Sequence, residues 1–133
     1  MNIGQAARAS GVSAKMIRHY EETGLIPRAR RSAAGYRTYG EADLHILRFV
    51  RQARRLGFST AQIADLLSLW RNQRRSSARV KALAQAHIAT LDERIRELEA
   101  MKSVLAELAA HCHGDDRPDC PILDALATRN LAT

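Results

Sequence analysis

The chain carries two cysteines, Cys112 and Cys120, separated by seven residues within HCHGDDRPDCPILDAL. No apolar run approaches the roughly 20 residues needed to cross a bilayer, and the opening residues lack the layout of a secretion signal. The expected compartment is therefore the cytoplasm, where a structural disulfide is disfavoured and metal binding or redox sensing becomes the better use of two thiols. Two thiolates suit a soft ion that accepts few ligands, and copper(I), silver(I) and gold(I) are the monovalent candidates. Such a site keeps a residual negative charge. Cys120 precedes Pro121, a favoured first helical residue, so the dipole and free amides of a short following helix would stabilise that charge. His111 and His113 offer a Cys2His2 alternative for zinc, although adjacent side chains at a helix end diverge. A divalent sensor and a pair of inert thiols are the competing readings of this loop. His45 and His87, on helices elsewhere, read as surface or interface residues.

The elements that must position the thiols follow from charge and periodicity. The formal net charge of +7 is unevenly spread: up to Phe58 there are eleven Lys/Arg against four Asp/Glu, and beyond it ten against ten. A polyanion is the natural partner for the first half, because each neutralised phosphate releases condensed counterions. Ile3, Ala6 and Ala7 share a helical face that Gly11 ends, and Ser13 suits the N-cap of a second helix closing near Gly24. In that second helix Met16, Ile17 and Tyr20 turn inward, while Lys15, Arg18 and His19 face solvent, as a helix entering a major groove requires. The segment RARRSAAGYRTY then reads as a two-stranded wing turning at Gly35. Lys15 and Arg18 are expected near base edges or phosphates, and Tyr36, Arg37 and Arg54 on backbone phosphates. Tyr20 fits either a DNA contact or a core ring with its hydroxyl exposed.

Two further helices are expected at Glu41 to Leu56 and Thr60 to Trp70, the second opened by a Ser59/Gln62 capping box. From Val80 to Ala110 one long amphipathic helix carries Leu91, Leu98 and Leu105 at seven-residue spacing, with Ile88, Ile95, Met101 and Leu108 widening the stripe. The chain holds no second long helix to cover it, so self-association is expected. The chain divides into a head at 1–70, a linker and dimerisation helix at 71–110, and a metal-binding loop with a short helix at 111–133. It shows no nucleophile and base pair, phosphate loop or hydrolase motif, so an enzyme is not expected. Two cysteines fall short of an iron–sulfur cluster's usual four.

The opening NIGQAARASGVSAKMIRHYEETGLIPRARRSAAGYRTY resembles the DNA-binding head of the MerR family of transcription regulators, and the C-x7-C loop resembles that of its copper(I)-sensing branch. The resemblance covers nearly the whole chain. It implies a mainly α fold: a winged helix-turn-helix head, a long helix pairing as an antiparallel coiled coil in a homodimer, and a C-terminal metal loop and helix. By the same resemblance Lys15, Arg18, Tyr20, Tyr36, Arg37 and Arg54 match DNA-contacting positions, and Cys112 and Cys120 match metal thiolates. Ser77 stands where sensors of divalent ions carry a cysteine, which favours a monovalent ion. The implied mechanism is activation by distorting promoter DNA whose two recognition elements are too far apart, so that RNA polymerase engages both. The implied targets are metal-efflux and detoxification promoters.

Overall fold

The computed structural model describes residues 1–72, 74, 76–115, 118 and 120–128. They fall into two units, Met1–Val80 and Lys81–Thr133. Asp116, Arg117 and Asp119, inside the expected metal loop, and residues 129–133 of the expected C-terminal segment lie outside the described residues.

The first unit contains helix α1 (Ile3–Ser10), helix α2 (Ala14–Glu22), strands β1 (Arg30–Arg31) and β2 (Arg37–Thr38), and helices α3 (Glu41–Arg55) and α4 (Thr60–Arg71). Local chemistry sets each boundary. Asn2 caps α1 by accepting from the Gln5 amide at 2.8 Å, while the Gln5 side chain returns the bond to the Asn2 amide at 2.9 Å. Ser13 accepts from Met16 N–H at the start of α2, and Ser59 and Gln62 exchange bonds at the start of α4. Such caps contribute about 1 kcal/mol each, by satisfying amides that have no partner within the helix.

The turn between α1 and α2 depends on Gly11. Its φ is +77°, in the left-handed region, and a Cβ there would stand 2.8 Å from Nε of Arg51, which reaches over the turn from α3. The backbone conformation calls for glycine, whereas the flexible Arg51 side chain could move aside.

Ile17 of α2, Leu44, Leu47 and Val50 of α3, and Ile63 and Leu67 of α4 are the largest fully buried side chains. Together with Ala6 of α1 they form one core cluster, and the burial of Ile17 in it fixes which face of α2 stays outside. Phe49 and Trp70 stack with ring centroids 4.7 Å apart and planes 11° from parallel, joining the outer edges of α3 and α4.

The wing is an antiparallel pair with Arg30 opposite Thr38 and Arg31 opposite Arg37. Its regular part is shorter than the alternation of TyrArgThrTyr suggests, because the next residue leaves the ladder: Tyr39 exchanges backbone bonds with Met1 instead, at 2.8 and 2.9 Å. Gly35 turns the hairpin at φ +86°.

Helix α5 runs from Ser77 to Ala110, 34 residues, beginning three residues before the expected Val80. Ala78 and Arg79 extend it because nothing in that stretch opposes a helix, and the Ala78 amide bonds to Ser76 Oγ at 3.2 Å. Ile88, Ile95, Leu98, Met101, Val104 and Leu105 are exposed along it. His87, by contrast, is buried at 5 % exposure, so of its two readings, surface or interface residue, the surface one does not hold. Helix α6 (Pro121–Thr128) follows the loop. Among the described residues no helix is long and apolar enough to cross a membrane.

Candidate nucleic-acid interface and metal loop

Helix α2 buries Ile17 and Tyr20 and leaves Lys15, Arg18 and His19 exposed. The 3.6-residue period places these three polar side chains away from the core. Tyr36 stands at the wing tip, 74 % exposed, and Arg54 is exposed near the end of α3. Of the residues expected to meet DNA, Lys15, Arg18, Tyr36 and Arg54 are thus accessible. Tyr20 is different. It is only 3 % exposed and belongs to the core cluster with Ile17 and Leu47, so the core reading of its ring describes it.

Arg37 is half-buried, and its Nε–H donates to Glu21 Oε2 at 3.3 Å. The other oxygen of the same carboxylate, Oε1, accepts from the Tyr39 hydroxyl at 2.5 Å. One carboxylate at the end of α2 therefore ties that helix to the strand side of the wing. Neither Glu21 nor Tyr39 was expected from the sequence as a site residue. The available signal was spacing: Glu21 follows Ile17 by four residues, one turn along the buried face of α2.

Burial pushes the Tyr39 phenol well above the usual tyrosine range, and its bond to Glu21 and that group's negative charge push in the same direction. The folded state thus favours the neutral phenol. The resulting stability is fully present below the ordinary tyrosine value of about 10 and is lost as pH rises beyond it, because the unfolded chain ionises first. Tyr39→Phe should remove this alkaline decline, at a cost of about 1.5–3 kcal/mol near neutrality for the lost hydrogen bond to a charged group. Urea midpoints of both proteins across the alkaline range check it: the curves should converge as pH rises, and parallel curves would contradict the assignment.

In the second unit the Cys112 amide bonds to Ala109 O at 3.1 Å, on the last turn of α5, and Gly114 takes φ +65° just beyond. Both thiols are free and partly buried. Cys120 occupies the N-cap of α6: its carbonyl accepts from Asp124 N–H at 3.0 Å, and its Sγ accepts from Leu123 N–H at 3.5 Å. A backbone donor at a helix start stabilises negative charge on that sulfur. His111 and His113 flank Cys112 and are exposed. Among the described residues no three His, Cys, Asp or Glu side chains form a group that could hold an ion. Ser77 is exposed at the first position of α5.

Comparison with known proteins agrees with this architecture. Residues 1–70 match the family description "MerR HTH family regulatory protein", and residues 44–108 match "MerR, DNA binding". "Heavy metal-dependent transcription regulator 2" of Rhizobium meliloti is 58 % identical over 127 residues, covering 96 % of this chain and 86 % of that protein. The "HTH-type transcriptional regulator CueR" of Salmonella typhimurium is 42 % identical, covering 96 % of this chain and 92 % of that one. Among solved structures, the transcription regulator PbrR691 from Ralstonia metallidurans in complex with lead(II) superimposes with a TM-score of 0.79 at 32 % identity, covering 95 % and 98 % of the two chains. The mainly helical fold with its two-stranded wing and long helix is that of these regulators. The chain belongs to the MerR family of helix-turn-helix transcription regulators, and is a DNA-binding protein rather than an enzyme.

Proposed function

We propose that this chain is a metal-responsive transcription regulator of the cytoplasm whose effector is copper(I), held by Cys112 and Cys120, with silver(I) and gold(I) as chemically equivalent soft ions. The observation that carries the reading is the bond from Leu123 N–H to Cys120 Sγ at 3.5 Å. It gives one thiolate a fixed backbone donor at a helix start, suited to the negative charge that two thiolates keep around a monovalent ion. Metal responsiveness is also supported by the heavy-metal-dependent relative and the CueR relative, and lead(II) in the structural relative makes the choice of ion the point to test. Ser77 offers only a hard hydroxyl where a divalent sensor of the family would bring a third sulfur, which favours the two-thiolate ion.

On the DNA side, Lys15 and Arg18 of α2 reach base edges or phosphates in the major groove, and Tyr36, Arg37 and Arg54 hold phosphates on either side. Tyr20 supports α2 from behind. A homodimer built on α5 presents two heads to one promoter. Ion capture at the loop favours one dimer geometry over another, and the DNA follows by bending and untwisting, so that RNA polymerase engages an otherwise misplaced pair of elements. Metal-efflux and detoxification genes are the expected targets.

X-ray absorption of the full chain, loaded with copper(I) under reducing conditions, tests the site. Two sulfur neighbours are expected. A four-coordinate shell of sulfur and nitrogen would instead transfer the assignment to a divalent ion such as zinc.

A further inference from the structure

Glu21 is an unexpected residue in this head. It is a carboxylate, 6 % exposed, within a half of the chain that carries eleven cations and faces a polyanion. An ionised carboxylate buried without partners costs several kcal/mol, and two donors offset that cost here: the Tyr39 hydroxyl on Oε1 and Arg37 Nε on Oε2. The way Arg37 is held is informative. Glu21 engages the Nε edge of the guanidinium, and among the described residues no acceptor is bonded to its two terminal amino groups, while a quarter of the side chain is open to solvent.

We propose that Glu21 is a positioning residue for DNA binding: it anchors Arg37 by Nε so that the terminal amino groups of that guanidinium are presented, already ordered, to a backbone phosphate. The inference rests on the wing lying against DNA, as proposed above. Arg37 has a rotamer-rich side chain, and a guanidinium fixed before binding loses less freedom when it meets the phosphate. Tyr39 completes the device by filling the other oxygen of the carboxylate, which keeps Glu21 from turning away. The single clamp thereby sets the recognition helix and the wing at one mutual spacing, because Glu21 lies on α2 while Arg37 and Tyr39 lie on and just after β2.

This reading makes a prediction opposite to charge counting. Removing a negative charge from the DNA-facing half should, by Coulomb's law alone, tighten binding. Positioning requires that it weaken. The test is a double-mutant cycle of Glu21→Leu and Arg37→Ala in the full chain, titrated against a fluorescently labelled mixed-sequence duplex over a range of salt. Such a duplex suffices because phosphate contacts carry no sequence information. Glu21→Leu should weaken binding by about tenfold, the scale of one charge-assisted hydrogen bond, and lower the slope of log affinity against log salt by about 0.9, the share of one phosphate. In the Arg37→Ala background it should do neither.

Should Glu21→Leu fail to fold, Glu21→Gln keeps the shape and one acceptor oxygen, and the same cycle should show a smaller loss that again vanishes without Arg37. A loss that adds in full on top of Arg37→Ala, or comes with an unchanged salt slope, would mean that Glu21 serves stability alone and would overturn the inference while leaving the wing contact intact. Wild-type affinity and slope in Arg37→Ala itself would remove both the inference and the wing contact beneath it.

Discussion

Replacing Cys112 and Cys120 together by serine is expected to abolish copper(I) uptake while leaving a folded, dimeric protein that still binds duplex DNA. The two positions differ in what else they do, which makes serine the informative choice. Cys112 lies two residues beyond the end of α5, where its amide bonds to Ala109 O whatever the side chain. Cys120 caps α6 through its sulfur, a weak acceptor. A serine hydroxyl is a stronger N-cap than a thiol, so α6 should be kept or tightened. Loss of the ion in this variant therefore reports loss of soft ligands and not unravelling of the short helix. Alanine at 120 would confound the two.

The magnitude should exceed the roughly 10–100-fold that removing an outer-shell partner of a metal site costs, because here the ligand atoms themselves are gone. Competition titration against a copper(I) chelator measures the affinity. Metal-dependent transcription from a target promoter should fall to the level without metal, with basal DNA affinity unchanged. Undiminished copper-dependent induction in the double serine variant would end the two-thiolate reading. The thiols would then be bystanders on a DNA-binding protein that bends its promoter for another reason, or for none.

Much of this architecture could be read from residue types because the signals were local. Ser13, Ser59 and the glycines at 11 and 35 each act within a few residues, through a cap or a left-handed turn, and each stands where expected. The accessibility of Lys15, Arg18 and Tyr36 followed from the same short-range periodicity. What could not be read were features that depend on residues distant in the chain. Tyr39 leaves the wing ladder because Met1, 38 residues away, supplies the backbone partners. Arg37 looked like any other wing cation, and its capture by Glu21, 16 residues earlier, shows only once α2 and β2 are side by side. Tyr20 was ambiguous for a related reason. A tyrosine one turn from the solvent face can go either way, and the neighbouring helices decided for burial. Apolar periodicity placed the start of α5 at Val80, three residues late, since the Ser-Ala-Arg of its first turn carries no apolar stripe to reveal it.

Glutamate at both Leu98 and Leu105 should convert the protein to a monomer and with it remove tight promoter binding. These residues are 62 % and 55 % exposed in the isolated chain, seven apart on α5, and flanked by the exposed Ile95, Met101 and Val104. A helix of 34 residues, about 50 Å long at the usual rise, cannot leave such a stripe in water without a partner. Pairing two copies along it buries each leucine, at about 1.5–3 kcal/mol per fully buried side chain. Two substitutions in each of two copies thus remove on the order of 6–12 kcal/mol of burial, before the cost of bringing carboxylates together in an apolar seam. That exceeds what a modest dimer can lose. Since neither leucine belongs to the core of Met1–Val80, the head should keep its fold and a weak, salt-sensitive affinity for any duplex, as phosphate contacts alone provide. Sedimentation should find a single monomeric species, and binding to a two-half-site promoter should drop to the non-specific level. Were the variant still dimeric, the exposed stripe would not be the pairing surface, and the route from loop to DNA would have to run through some other face of the chain.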